Sequence, residues 1–194
     1  LGLTTPFLGS RGFESLKFWL TIKGIGMNAL GKLIERRQTL SNYWYSLLMR
    51  NENIVVLNNL DFYRISFVVF PKKRLAEVRN IKDKKGIELV VSKYTNMVSD
   101  KLYKEGDVCM DEFKLNDFNK RITDDKNISY TVMGTTIGNS STDEKNLRQS
   151  NELLSASIEK IIHKYNKEID NLICVKKNKI KTCPNGGNSP ACWS

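Results

Sequence analysis

The 194-residue sequence has one histidine, four cysteines and four prolines. No apolar run reaches the ~18 residues that a membrane-spanning helix needs, and no start of signal-peptide type is present, so we expect a cytoplasmic protein without a membrane anchor. A single histidine excludes catalytic schemes and metal sites that need two imidazoles from this chain. The sequence also has neither a Gly-x-Ser-x-Gly elbow nor a Walker-type phosphate loop, which excludes two common catalytic motifs.

The four cysteines are far apart. Cys174, Cys183 and Cys192 follow one another at nine-residue intervals, and Cys109 is distant. Zinc sites usually place paired ligands about two to four residues apart. We therefore predict no metal site and interpret the cysteines as cytosolic thiols, because a disulfide in the tail would require an oxidising compartment.

The formal net charge of +10 is concentrated in two segments. Residues 72–85 carry seven basic and two acidic side chains, and residues 174–182 carry four lysines and no acid. No aromatic residue lies among these lysines, although a nucleic-acid reader would use one. We therefore favour solvated basic loops and expect no nucleic-acid partner. The alternative is a non-catalytic relict domain that binds RNA or another acidic partner through segments 72–85 and 174–182.

Hydrophobic periodicity and turn signals predict an α+β fold. Two N-terminal helices precede a small, mostly antiparallel sheet that is covered by helices. We divide the chain into residues 1–50 (a turn and helices), 51–173 (a small α+β domain) and 174–194 (a flexible, basic, Cys-containing tail). The expected elements are helices at 13–23, 28–50, 87–104 and from a Ser141-x-x-Glu144 capping box to the region of Leu172, and strands at 54–57, 65–70, 108–115 and 128–137.

Two further sequence features bear on possible chemistry, a lone histidine and a glycine-rich turn. His163 falls outside the apolar stripe of the last helix, so we expect it to be exposed. The segment Gly9-Ser10-Arg11-Gly12 directly precedes the first apolar helix. Its backbone N–H groups, hydroxyl and guanidinium could form an anion site. The alternative is an ordinary glycine turn in which Ser10 caps the helix.

Residues 8–19, Leu-Gly-Ser-Arg-Gly-Phe-Glu-Ser-Leu-Lys-Phe-Trp, resemble a stretch of the group II pyridoxal-phosphate (PLP)-dependent amino-acid decarboxylases. This family includes the aromatic amino acid, histidine and glutamate decarboxylases, and its stretch ends in Leu-Lys-Leu/Phe/Met-Trp after a Gly/Ser-Arg turn. The likeness extends over about residues 5–173, mainly in the order of elements, and includes Ile137-Gly138-Asn139. It implies the C-terminal small domain of a fold-type I PLP enzyme.

The resemblance covers only the C-terminal part of such an enzyme. The family's Schiff-base Lys, the His stacked on the PLP ring and the Asp paired with the ring nitrogen all precede it, so we expect no catalytic residue in this chain. The resemblance implies that another chain supplies the PLP-binding domain, or that this chain is a fragment or an inactive relative. Implied partners are a large PLP-binding decarboxylase chain, PLP held mainly by that chain, an amino-acid substrate and a dimer of such pairs.

The family's turn matches Gly9, Ser10 and Arg11, which are the predicted cofactor-binding residues. In relatives this turn approaches the cofactor and substrate, often across a dimer interface. One departure concerns glutamate decarboxylases, which carry an Arg on the closing strand that can hold the substrate carboxylate. This sequence has Thr131 or Gly134 there, depending on the alignment. The expected function is thus a small C-terminal-type subunit or fragment of a PLP-dependent carboxy-lyase, inactive alone.

Overall fold

The computed structural model describes residues 14–61, 63–79, 83–106, 110–137, 139 and 141–180. These residues form helices that lie on a four-stranded antiparallel sheet, so the predicted α+β fold is confirmed. The helices are α1 (Glu14–Ile25), α2 (Met27–Arg50), α3 (Leu75–Arg79), α4 (Lys84–Glu105) and α5 (Glu144–Ile180), with a short 3-10 helix at Lys72–Arg74. The strands are β1 (Ile54–Val56), β2 (Arg64–Val69), β3 (Asp111–Asn116) and β4 (Ser129–Thr136).

The strand order in the sheet is β1-β2-β4-β3, and each neighbouring pair is antiparallel. Gly134 on β4 lies opposite Ser66 on β2 and opposite Asp111 on β3. The register therefore brings together the start of β2, the end of β4 and the start of β3. Helix α4 packs against β4 and β2, and α5 packs on α4.

The core is continuous from the sheet through α4 to α5. Strand β2 is buried at every residue after Arg64, and its buried residues are apolar except for Ser66, as expected for a strand that is covered on both faces. The Tyr94 and Tyr165 rings stack with centroids 4.0 Å apart, and Phe70 meets Tyr165 edge-on at 6.1 Å. The Tyr165 hydroxyl donates to the Val69 carbonyl at 3.0 Å. Aromatic packing thus joins α4 and α5 to the sheet.

The start of α5 differs from the predicted capping box of Ser141 and Glu144. The Asn146 N–H donates to Asp143 Oδ1 at 2.8 Å, and the Asp143 N–H donates to Asn146 Oδ1 at 3.1 Å. The Ser141 hydroxyl instead donates to Asn139 Oδ1 at 2.7 Å. Asp143 immediately precedes the first helical residue, so its carboxylate reaches the N–H three residues on. Reciprocal capping is present, but it lies two residues further along the chain.

Residues 72–85, predicted as a basic loop, are largely helical. They comprise the 3-10 helix, α3 and the start of α4, apart from residues 80–82, which lie outside the described part. Basic side chains of this segment bind groups of the same chain. Lys72 donates to Met49 O at 2.6 Å, Lys73 pairs with Glu52 at 2.8 Å, Arg74 pairs with Glu77 and Asp170, both at 2.6 Å, and Lys84 pairs with Asp125 at 3.3 Å.

The observed ends of the helices lie close to the predicted ends, with differences at α1 and α5. Helix α4 ends at Gly106, whose φ of 73° is the left-handed conformation expected of a C-cap glycine. The break between α1 and α2 lies at Gly26, with φ of 81°, so α1 extends two residues past its predicted end at residue 23. Helix α5 continues to Ile180 and so enters segment 174–194, of which residues 181–194 lie outside the described part. His163 is exposed, as predicted.

Candidate functional site at one end of the sheet

The predicted cofactor-binding residues Gly9, Ser10 and Arg11 lie outside the described residues, which begin at Glu14. The anion loop therefore stays a prediction. The helix that follows this loop is described, together with the end of the sheet near α2. Both carry features that point to function.

The first feature is the N-terminal arm, which we define as α1 and the first part of α2, residues 14–39. Its large apolar side chains lie in solvent, and the exposed fractions are 61% for Phe18 and 53% for Trp19. On α1, Lys17, Thr21 and Gly24 share one side, and the apolar residues are spread over the other sides, where Ser15 and Lys23 interrupt them. A helix of this kind is normally buried within a larger protein. The other exposed apolar residues of the arm are Leu16, Leu20, Ile25, Met27, Leu33 and Ile34.

A cavity of about 210 Å³ lies beside α2. The Arg36 guanidinium donates to the Thr142 carbonyl at 3.2 Å and so ties α2 to the segment before α5. Apolar side chains dominate the cavity wall, and two guanidinium-bearing residues border it. The lining residues are Leu30, Leu33, Ile34, Arg36, Arg37, Leu40 and Asn139.

A polar cleft of about 430 Å³ lies where β2 and β3 begin and β4 ends. Thr136 in the cleft and Asn139 in the apolar cavity are three residues apart in the sequence. The two cavities therefore open at the same end of the sheet. The cleft is lined by Asn58, Asn59, Asp61, Tyr63, Arg64, Asp111 and Thr136.

One wall of the cleft is the connection between β1 and β2. The Ser66 N–H donates to Asn58 Oδ1 at 2.7 Å, and Asn58 Nδ2 lies 2.8 Å from the Arg64 carbonyl. Arg121, from the segment after β3, donates to Asn59 Oδ1 at 3.0 Å. These bonds brace the Asn58-Asn59 segment from both sides, so the backbone of this wall is firmly held.

Arg64 stands at the centre of the cleft. Its guanidinium lies over the Phe113 ring at 4.7 Å, and its Nη2 lies 3.9 Å from an Asp111 carboxylate oxygen. Gly134 makes room for the Phe113 ring, because a Cβ there would clash with Phe113 Cε1, whereas Arg64 Nη2 would lie at an ordinary contact distance of 3.5 Å. The glycine thus gives the space that the Phe113 ring occupies beneath Arg64.

Clear pKa shifts also occur on the side of the core formed by α4 and α5. Burial, assisted by Glu168, raises the pKa of the Tyr94 phenol to about 12. The hydrogen bond from Lys93, at 2.7 Å, lowers the pKa of the Glu168 carboxyl. Both shifts follow from packing between the two helices. Neither residue lines either cavity at the end of the sheet.

Some site classes are absent from the described part of the chain. No group of three or more His, Cys, Asp or Glu side chains there could hold a metal ion. Among the same residues, none of the helices is both long and apolar enough to cross a membrane. Several cations of segment 72–85, which the RNA-binding alternative would use, bind this chain's own groups, as described above.

No family model matches the sequence, and no curated protein matches it significantly. Solved structures resemble it in fold. They include mouse CSAD in apo form (TM-score 0.59, 14% identity), Oryza sativa TDC with PLP and tryptamine (0.59, 16%) and Catharanthus roseus tryptophan decarboxylase with L-tryptophan (0.56, 18%). These alignments cover 76%, 78% and 77% of this chain but only 28%, 28% and 27% of the respective neighbours. The likeness establishes the fold alone.

Proposed function

We propose that this chain is the C-terminal part, or a C-terminal-type subunit, of a PLP-dependent amino-acid decarboxylase and is inactive by itself. The observation that carries the proposal is the exposed apolar arm, attached to a domain whose fold matches just over a quarter of such enzymes. The chain spans only 28% of the length of these neighbours. Most residues of such an enzyme, including any that would cover the arm, therefore have no counterpart in this chain. An arm that is apolar on most sides suits packing against such residues.

In this proposal a larger PLP-binding chain covers the arm. Burial of one large apolar side chain contributes roughly 1.5–3 kcal/mol. Phe18, Trp19 and Leu20 together can therefore anchor a stable complex. The partner would supply the lysine that holds PLP.

PLP, when bound by the partner, stores the electrons left behind when CO₂ departs from an amino acid. The residues of this chain bind an anionic group of the cofactor or substrate and shield the reacting centre from water. We expect Gly9, Ser10 and Arg11, which lie outside the described residues, to offer backbone N–H groups, a hydroxyl and a guanidinium to an anionic group at the edge of the cofactor or substrate. Closure of the arm against the partner excludes water from the reacting centre.

The test is co-expression with a neighbouring reading frame that encodes a lysine-bearing PLP domain. We expect the two chains to co-purify, with mass spectrometry identifying that domain and the complex absorbing at the PLP-imine band. Phe18→Ser combined with Trp19→Ser should abolish capture, because the arm loses its two large exposed aromatics. Tyr103→Ser is the matched control, since Tyr103 is an equally exposed aromatic on α4, with 71% of its surface accessible.

Two outcomes would contradict the proposal. One is a chain that remains alone in its native host, with no PLP-binding protein attached. The other is a complex that survives the double arm substitution as well as it survives the Tyr103 control. Correct folding of each variant is checked by far-UV circular dichroism.

A further inference from the structure

The polar cleft contains a positively charged group, the Arg64 guanidinium. The Phe113 ring covers one face of this guanidinium at 4.7 Å, and Gly134 leaves the space for that ring. The Arg64 side chain nevertheless keeps 53% of its surface accessible. A guanidinium stacked on an aromatic ring loses little freedom when it binds a carboxylate, because its planar fork is already oriented.

The ion pair inside the cleft is weak. Arg64 and Asp111 are 3.9 Å apart, which is longer than the ~2.7–3.2 Å of a hydrogen bond, and the Asp111 side chain is 72% exposed. Exposed pairs of this kind contribute little to stability. A ligand carboxylate that accepts two N–H bonds from the guanidinium would form the stronger interaction.

The other residues of the cleft indicate what else the ligand carries. Asp61 and Asp111 line the same cleft as Arg64, and their negative charges oppose the entry of a simple anion. An ammonium group on the ligand would interact favourably with these carboxylates. Tyr63 and Thr136 complete the lining with neutral hydroxyl side chains. The volume, about 430 Å³, falls within the range of small-molecule sites.

We propose that this cleft binds a small zwitterion, with the ligand's carboxylate on Arg64 and its ammonium group near Asp61 and Asp111. The separation of Arg64 and Asp111 suits a molecule whose two charges are only a few bonds apart. Every residue of the site belongs to this chain. The inference therefore does not require the proposed PLP-binding partner.

The experiment is a titration of the ¹⁵N-labelled full-length chain with glycine, acetate and methylammonium, followed by amide chemical shifts. We expect glycine to shift the amides of residues 63–66 and 135–136. We expect acetate and methylammonium to bind about tenfold more weakly, because each makes only one of the two charged interactions. Acetate that binds as tightly as glycine would overturn the assignment of a zwitterion.

Substitutions locate the site. Arg64→Gln should weaken glycine binding at least about tenfold, whereas Arg79→Gln, at an exposed position on α3, should leave it unchanged. Asp61→Asn alters a surface residue outside the sheet and should weaken glycine about two- to fivefold without weakening acetate. Unchanged binding in Arg64→Gln, or shifts confined to other surfaces, would refute the proposal. Because no partner is present in this experiment, failure here is distinct from failure to form the proposed complex.

Discussion

The N-terminal arm and the α+β body, residues 40–173, use similar apolar helices with opposite results. Along α2, Leu33 and Ile34 are exposed, whereas Leu40, Trp44 and Leu48 on the same apolar stripe are buried. The change occurs where the second half of α2 packs on β1 and α5. Helical periodicity thus specifies which face of a helix is apolar, but not whether another element covers that face.

This difference also suggests how the molecule is organised. The body has its own continuous core, in which Trp44, Phe67 and Tyr165 are at most 2% exposed. The arm leaves a contiguous set of large apolar residues in solvent, which is typical of an interaction surface. We therefore expect the body to determine the stability of the isolated chain and the arm to determine what the chain binds.

The sharpest test compares one phenylalanine from each region. Phe67→Ala in the body should lower the free energy of unfolding by about 3–5 kcal/mol, because it leaves a cavity in the core. Phe18→Ala in the arm should change it by less than about 0.5 kcal/mol. Urea unfolding of the isolated chain, followed by circular dichroism, measures both. Equal losses would show that the arm is part of the folded core.

The loop between β3 and β4 allows a second comparison with the arm, because this non-helical part of the body is held by buried hydrogen bonds. The buried Asp117 carboxylate accepts N–H groups from Arg121, Ile122 and Thr123 at 2.7, 2.8 and 3.3 Å. Asp117→Ala leaves these donors without their acceptor and should cost about 2–3 kcal/mol. Amide hydrogen exchange at residues 121–123 should accelerate in parallel. Asp124→Ala, at an exposed position in the same loop, should have little effect.

Capping of α5 gives a smaller effect. Asp143→Ala should destabilise the body by about 1 kcal/mol, since it removes the acceptor for the Asn146 N–H. Ser141→Ala should cost no more than a few tenths of a kcal/mol, because its hydroxyl bonds only to exposed Asn139. Chemical denaturation of the two variants measures both losses of stability. A larger loss in Ser141→Ala than in Asp143→Ala would indicate that Ser141 caps the helix, as the sequence predicted.

The smallest expected effect depends on pH. Lys93 lowers the pKa of Glu168 in the folded chain, so this pair stabilises the body above the ordinary carboxyl pKa of 4.5. That contribution is lost as the pH falls through the lowered pKa. Glu168→Gln should lower the free energy of unfolding near neutral pH by at most about 1 kcal/mol. The free energy of unfolding of this variant should also fall less steeply between about pH 6 and 3, because the variant has no carboxylate to protonate at this position. Denaturation midpoints across this range test the sign, and a steeper acid loss in the variant would contradict it.

Most elements of the body follow from local sequence. The predicted strand at 128–137 corresponds to Ser129–Thr136, and the predicted helix at 87–104 corresponds to α4, Lys84–Glu105. The helical character of residues 72–79 was missed because α3 has only five residues, too few for a periodic signal. The capping box was misplaced because Ser141 and Asp143 lie two residues apart and both are good N-cap residues.

The two cavities could not be predicted from local patterns. Arg64, Asp111 and Thr136 come from three strands and meet only through the register of β2, β4 and β3. The available signal was a glycine within a strand, Gly134, which often marks a close approach of other groups. The predicted loop at Gly9, Ser10 and Arg11 lies outside the described residues and stays a prediction.

The sequence by itself determined the helices with their apolar faces, the strands and the excess of basic charge, because each depends on residues within a few positions of one another. The tertiary structure decided which apolar faces are covered, which cations of segment 72–85 are paired and where Arg64 stands. Those outcomes depend on contacts between distant parts of the chain, such as Arg74 with Asp170 and Gly134 with Phe113. A local pattern carries no information about such distant partners, and so the exposed arm and the polar cleft emerged only from the folded chain.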